Sequence, residues 1–275
     1  FVVDRSGSMN CNLPPTTGSA ECEAHPVAAK PGDPTKWSVI SQAMSDTIDK
    51  LAALPNTYVG LTFFSNDDEC GVQSTPNVPL GRLASDTAGQ PSPQAGLLKS
   101  AFANVTPSGG TPLIGAVILG YKYLHQIAQA PGNRFVVLVT DGSDSCVGGN
   151  DAGIGNYASE GVTGDVTAQL LNKEIPDAIK VNIRTFVIGA PGSEPSRGLL
   201  SQIAYEGGTA SSAACDHSAN PAAGAACHLD MTTTSDFAKD LSTALQNITG
   251  SAALTCQFDV PTGFLFPEAS DADVL

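Results

Sequence analysis

Five consecutive apolar residues, Phe135-Val136-Val137-Leu138-Val139, end abruptly in Thr140-Asp141-Gly142. A strand apolar on both faces can only sit in the middle of a sheet covered on both sides, which is the position of a central parallel strand. The segments around it alternate in the same sense. Trp37, Ile40, Met44, Ile48 and Leu51 step by three and four, and Leu113, Val117, Gly120, Leu124 and Ala128 do so again, so each predicts a helix with one apolar face. Tyr58 to Phe64 and Val181 to Ile188 read as strands, Val78 to Leu83 and Cys227 to Met231 as short ones, and Phe1 to Val3 as the end of another. Further helices are expected around Leu97 to Val105, Val166 to Ile175 and Leu199 to Ile203. A last helix carries Phe237, Leu241, Leu245 and Ile248, with Ser235 as its cap. Thr111 and Pro112 are expected to open the third helix as N-cap and first helical residue. Strands separated by helices of this length imply an α/β fold with a parallel sheet.

Composition limits the partners. The chain has 275 residues, enough for a large core, with 28 glycines and 19 prolines that imply long connections. Those expected at 10–35, 142–161 and 208–226 are long enough to carry function. Thirteen basic against 27 acidic residues give a net charge of −14, which argues against nucleic acid and anionic lipid and favours cations. No apolar run approaches the ~18 residues of a membrane span. Seven cysteines, none in a CxxC pair, point away from zinc and toward disulfides made in an oxidising compartment: extracellular, cell-surface or periplasmic. Cys11 with Cys22 and Cys215 with Cys227 bracket loops. Cys70, Cys146 and Cys256 supply at most one more pair, which leaves one thiol free or paired outside the segment. The chain starts inside an apolar run and reads as a piece of a longer protein, with a rhythm change after Gly250. The expected division is a domain over 1–249, truncated within its first strand, and the start of a β-rich extension or linker over 250–275, with a strand at Leu254 to Pro261.

The chemistry concentrates at predicted strand ends. Asp4-Arg5-Ser6-Gly7-Ser8 sets two hydroxyls at alternate positions after a terminal Asp. Gly109-Gly110-Thr111-Pro112 adds a hydroxyl at a helix start, and Asp141 adds a second carboxylate. In an open parallel sheet these carboxyl-terminal edges are where ligands bind. Two Asp and three hydroxyls, with neither His nor Cys among them, suit a hard divalent cation such as Mg²⁺ or Mn²⁺, with Ca²⁺ as a further candidate. The same residues are also compatible with an ordinary turn closed by Asx and Ser/Thr hydrogen bonds. Asp67-Asp68-Glu69 and Asp144 to Asp151 lack EF-hand spacing and read as solvated loop charges.

The DxSxS at Asp4, Ser6 and Ser8, followed by Thr111 and then Asp141, resembles the metal-ion-dependent adhesion site of von Willebrand factor type A domains, the integrin I-domain family. The cysteine-rich loops and the tail around Cys256 look most like secreted or surface-anchored bacterial members. The resemblance implies a Rossmann-like, doubly wound, mostly parallel sheet with one antiparallel edge strand and helices on both faces. It also implies a non-enzymatic module in which Ser6, Ser8 and Thr111 contact the ion through hydroxyls, directly or through water, and Asp4 and Asp141 act mainly through water. An Asp or Glu carboxylate of a protein partner then completes the shell. Asp141, expected at the surface, should be removable without harm to the fold. Two alternatives remain open. One is a metal-assisted hydrolase or phosphotransferase, although a second acid two residues after Asp4 and a GxSxG elbow around Ser6 are both missing. The other is a scaffold whose metal only stabilises the fold.

Overall fold

The computed structural model describes residues 1–13, 22, 28, 30–67, 69–85, 90–127, 132–146 and 166–254. The expected strand at Leu254 to Pro261 falls outside them beyond Leu254, as does most of the 10–35 and 142–161 connections.

Among the described residues the apolar segments identified in the sequence become six strands: β1 (Val2–Asp4), β2 (Tyr58–Phe64), β3 (Val78–Arg82), β4 (Arg134–Thr140), β5 (Ile183–Gly189) and β6 (Leu229–Asp230). They form one sheet in the order β3-β2-β1-β4-β5-β6. All neighbours are parallel except β2 and β3, so the antiparallel strand lies at an edge. Asp4 is in register with Phe64, and Val3 with Val139, so β1, β2 and β4 end side by side.

Alternation along each strand builds two cores. Val3, Leu61, Phe63, Val137, Val139 and Ile188 face helices α1 (Lys36–Ala52), α2 (Pro93–Asn104) and α6 (Phe237–Leu254). Val2, Phe64, Val136, Leu138 and Val187 face α3 (Leu113–Gln126), α4 (166–180) and α5 (Arg197–Glu206). Helix α4 is a composite of an α-turn Val166–Gln169, a π-helical segment Leu170–Glu174 and a final turn Ile175–Lys180. In the first core Phe63, Trp37 and Phe102 pack as a triangle, with ring centroids 5.8 Å (Trp37–Phe63), 5.3 Å (Phe63–Phe102) and 6.0 Å (Trp37–Phe102) apart.

The helix starts correct two expectations. Thr111 does not cap α3. The helix begins at Leu113 with Pro112 in the cap position, and a carboxylate from a different loop, Asp144, accepts from the Ile114 amide at 2.8 Å. Likewise α6 begins at Phe237, and Asp236 rather than Ser235 accepts from the Lys239 amide at 3.1 Å. By contrast, α1 opens with a local capping box between Thr35 and Ser38.

Three disulfides join Cys11 to Cys22, Cys215 to Cys227 and Cys70 to Cys146, with Cα separations of 5.9, 4.9 and 5.9 Å. They imply an oxidising environment. Among the described residues no helix is long and apolar enough to cross a membrane.

Truncating Phe63 would remove one of the three rings of this cluster. Phe63→Ala should cost about 3–5 kcal/mol in urea unfolding, the range for a buried aromatic lost from a packed core.

Candidate functional site

The parallel register brings Asp4 and Asp141 to the same edge of the sheet, and neither is exposed to solvent. Asp4 Oδ1 accepts from the Ser6 amide at 2.8 Å, and Oδ2 accepts from the Thr140 hydroxyl at 2.7 Å. Ser6 and Ser8 hydroxyls stand 3.1 Å apart, and Ser8 Oγ donates to Asp141 Oδ1 at 2.9 Å. Four of the five sequence-predicted residues are therefore linked into one chain of contacts.

Thr111 reaches the same rim by another route. Its amide donates to Ser145 Oγ at 2.9 Å, and the Ser145 amide donates back to the Thr111 carbonyl at 3.1 Å. Its hydroxyl lies over Gly142, the residue after Asp141, where a Cβ would stand 3.8 Å away. The preceding turn requires glycine. Gly109 has φ +80°, and a Cβ there would meet the Asp67 and Glu69 carbonyls at 2.8 Å. Gly110 faces the Cys70–Cys146 bridge, with both sulfurs 3.0–3.1 Å from where its Cβ would be.

Several residues that hold the site together were not singled out from the sequence. Arg5, inside the DxSxS, donates to the Ser65 carbonyl, to Thr106 O at 3.2 Å and to Asp67 O at 2.6 Å, tying β1 to two neighbouring loops. Ser145 fixes Thr111 as described, and Asp144, read from the sequence as a solvated loop charge, instead accepts from the Ile114 and Cys146 amides at 2.8 and 2.9 Å. Lys36 places Nζ 2.6 Å from Asp141 Oδ2, with both side chains buried. A lysine at the first position of a helix opposes the helix dipole, and that misplacement was the available signal.

This ion pair also corrects the expectation that Asp141 is a dispensable surface carboxylate. Removing one partner of a buried pair leaves the other charge uncompensated, at a typical cost of about 3–5 kcal/mol. Asp67 of the acidic run closes a turn of its own, Oδ1 accepting from the Glu69 and Gly71 amides at 2.9 and 2.8 Å.

Burial, and then the negative charge of Asp141, push the Asp4 carboxyl up to about 7. The Ser6 and Thr140 hydrogen bonds oppose the shift without cancelling it.

A hard divalent cation fits this donor set: two adjacent serine hydroxyls, a carboxylate oxygen at hydrogen-bond distance from one of them, a threonine hydroxyl on the same rim and a buried Asp behind them. Among the described residues there is no group of three or more His, Cys, Asp or Glu that could hold a metal, so any ion here would depend on hydroxyls and water.

No protein-family model matches the sequence, and no curated protein matches it. Solved structures do share the fold. The pilus adhesin SpaC from Lactobacillus rhamnosus GG superimposes with a TM-score of 0.55 at 15% identity, over 92% of this chain and 30% of SpaC. The PilB minor pilin from Streptococcus sanguinis gives 0.55 at 16% identity, over 94% of this chain and 61% of PilB. The vWF domain of the type V pili tip protein Mfa5 from Porphyromonas gingivalis gives 0.49 at 11% identity, over 94% and 95%. This chain thus spans less than two thirds of SpaC and of PilB, and at these identities the likeness is one of fold.

The Asp4 environment sets a pH dependence for the metal-free domain. Between about 4 and 7 the unfolded chain has released the Asp4 proton while the folded one retains it, so stability falls as pH rises through that window. In urea titrations with EDTA, wild type should lose stability relative to Asp4→Asn across this range, at no more than about 1.4 kcal/mol per pH unit. A flat difference would contradict it.

Proposed function

We propose that this chain is a protein-binding module of the von Willebrand factor type A kind that holds Mg²⁺ or Mn²⁺ at the sheet rim and uses it to capture a carboxylate from a partner protein. Ser6, Ser8 and Thr111 would hold the ion through hydroxyls, with Asp4 and Asp141 acting through bound water. The ion would supply an electrophilic charge for an Asp or Glu of the partner. The observation that carries this reading is the continuous contact from Ser6 through Ser8 to Asp141 Oδ1, set directly over the buried Asp4. An ion held mostly by neutral oxygens keeps much of its charge, and so retains an appetite for one more anionic ligand.

Two further observations support an extracellular binding role. The fold resembles those of a pilus adhesin and a minor pilin, and three disulfides suit a surface or secreted setting. The rim is built from loops on a rigid sheet, the usual place for specificity.

The test uses Ser6→Ala with Ser8→Ala, which removes two ligands without stranding a buried charge. Calorimetric titration with MgCl₂ should show binding to wild type and a loss of about tenfold or more in the double variant, no smaller than the loss typical when a group that only supports a metal ligand is removed. Capture of a protein partner on the immobilised domain should be lost with EDTA and in the same variant. Partner capture that survives both would leave the metal as a structural element only.

A further inference from the structure

Lys36 has no role in the reading above, yet its ammonium is buried in an ion pair at the rim. It is the first residue of α1, its side chain is only 3% exposed, and its ammonium lies 2.6 Å from Asp141 Oδ2. A cation there meets both the positive end of a helix and the cost of burial, penalties that a surface lysine avoids. Three segments close around it: the start of α1, the end of β4 and the turn after β5. In that turn Gly192 has φ +111°, and a Cβ there would stand 2.6 Å from Lys36 Nζ and 2.7 Å from the Asp141 carbonyl oxygen. The turn thus makes room for the ion pair. Asp141 is divided by it, with Oδ2 held by Lys36 and Oδ1 receiving the Ser8 hydroxyl.

We propose that Lys36 is the resident cation of this site: it fixes Asp141 with Oδ1 turned toward the serines, and its charge opposes an incoming divalent ion, so the site binds metal more weakly than its donor set would alone. The inference rests on the metal-binding reading. Lys36 sets one positive charge 2.6 Å from a carboxylate of the donor set, and at contact range inside a protein one charge strongly affects the hold on a doubly charged ion.

The experiment titrates MgCl₂ into wild type, Lys36→Met, Lys36→Gln and Lys36→Arg by calorimetry, with thermal melts of each in EDTA and in MgCl₂. Both neutral variants should bind Mg²⁺ more tightly than wild type, by about tenfold or more. They should also melt lower in EDTA and gain more from Mg²⁺ than wild type does. Lys36→Arg keeps the charge and should not gain affinity over wild type. Lys36→Gln retains a donor to Asp141, so it covers the case in which Lys36→Met fails to fold without metal. Affinity in the neutral variants equal to or below wild type overturns the role of Lys36 and leaves the metal-binding reading standing. Binding by the neutral variants alone overturns that reading for the natural chain and establishes Lys36 as the ion that replaces the metal. Binding by none of the four overturns both.

Discussion

Two carboxylates lie out of water at neighbouring strand ends, and one buried ammonium sits against the second of them. Like charges removed from solvent cannot both remain ionised unless something compensates them. Here hydrogen bonds from Ser6 and Thr140 offset only part of the cost of burying Asp4, while Lys36 and Ser8 hold Asp141. Much of the rim follows from that arrangement. Helix α1 has to start where Lys36 can reach across 105 positions of sequence. The turn after β5 has to carry a glycine where it passes over the pair. The two serines have to follow Asp4 closely enough for one of them to reach Asp141.

Around this centre the loops are held by local bonds more than by the core. The Gly7 amide donates to Gly109 O at 3.0 Å, and the Ser108 amide donates to Arg5 O at 2.8 Å, which joins the β1 exit to the turn before Thr111. The Gly110 amide donates to Glu69 O at 2.6 Å, bringing in the β2 exit. Cys70 and Cys146 then lock the β2 and β4 exits together beneath the same turn. The hydroxyl of Thr111 is thereby placed by three separate chain segments, none of which belongs to its own helix.

What the sequence made legible was whatever repeats or sits beside its cause. The β4 segment was readable because a strand buried on both faces needs five apolar residues in a row. Asp4, Ser6 and Ser8 were readable because alternate residues after a strand end share a rim. The unread features are contacts between distant residues with no periodicity to announce them. Asp144 caps α3 from 30 positions away, and so displaces the local Thr111-Pro112 signal. The choice among Cys70, Cys146 and Cys256 depended on which loops the sheet brings together. The burial of Asp141 depended on Lys36, whose poor fit to a helix start was visible while its partner was not.

The Cys70–Cys146 bridge also bears on how the molecule would respond to tension. It closes a covalent ring across 76 residues of sequence that contains β3, α2, α3, β4 and the Gly109–Thr111 turn. Load applied at the two ends of the chain passes through the sulfurs and bypasses that ring. At the reach of an extended backbone, about 250 Å of contour length stays out of the force path. Stretching could pay out the helices on either side, α1 and α6 among them, while the ring bearing Thr111 and Asp141 remained a short, inextensible link.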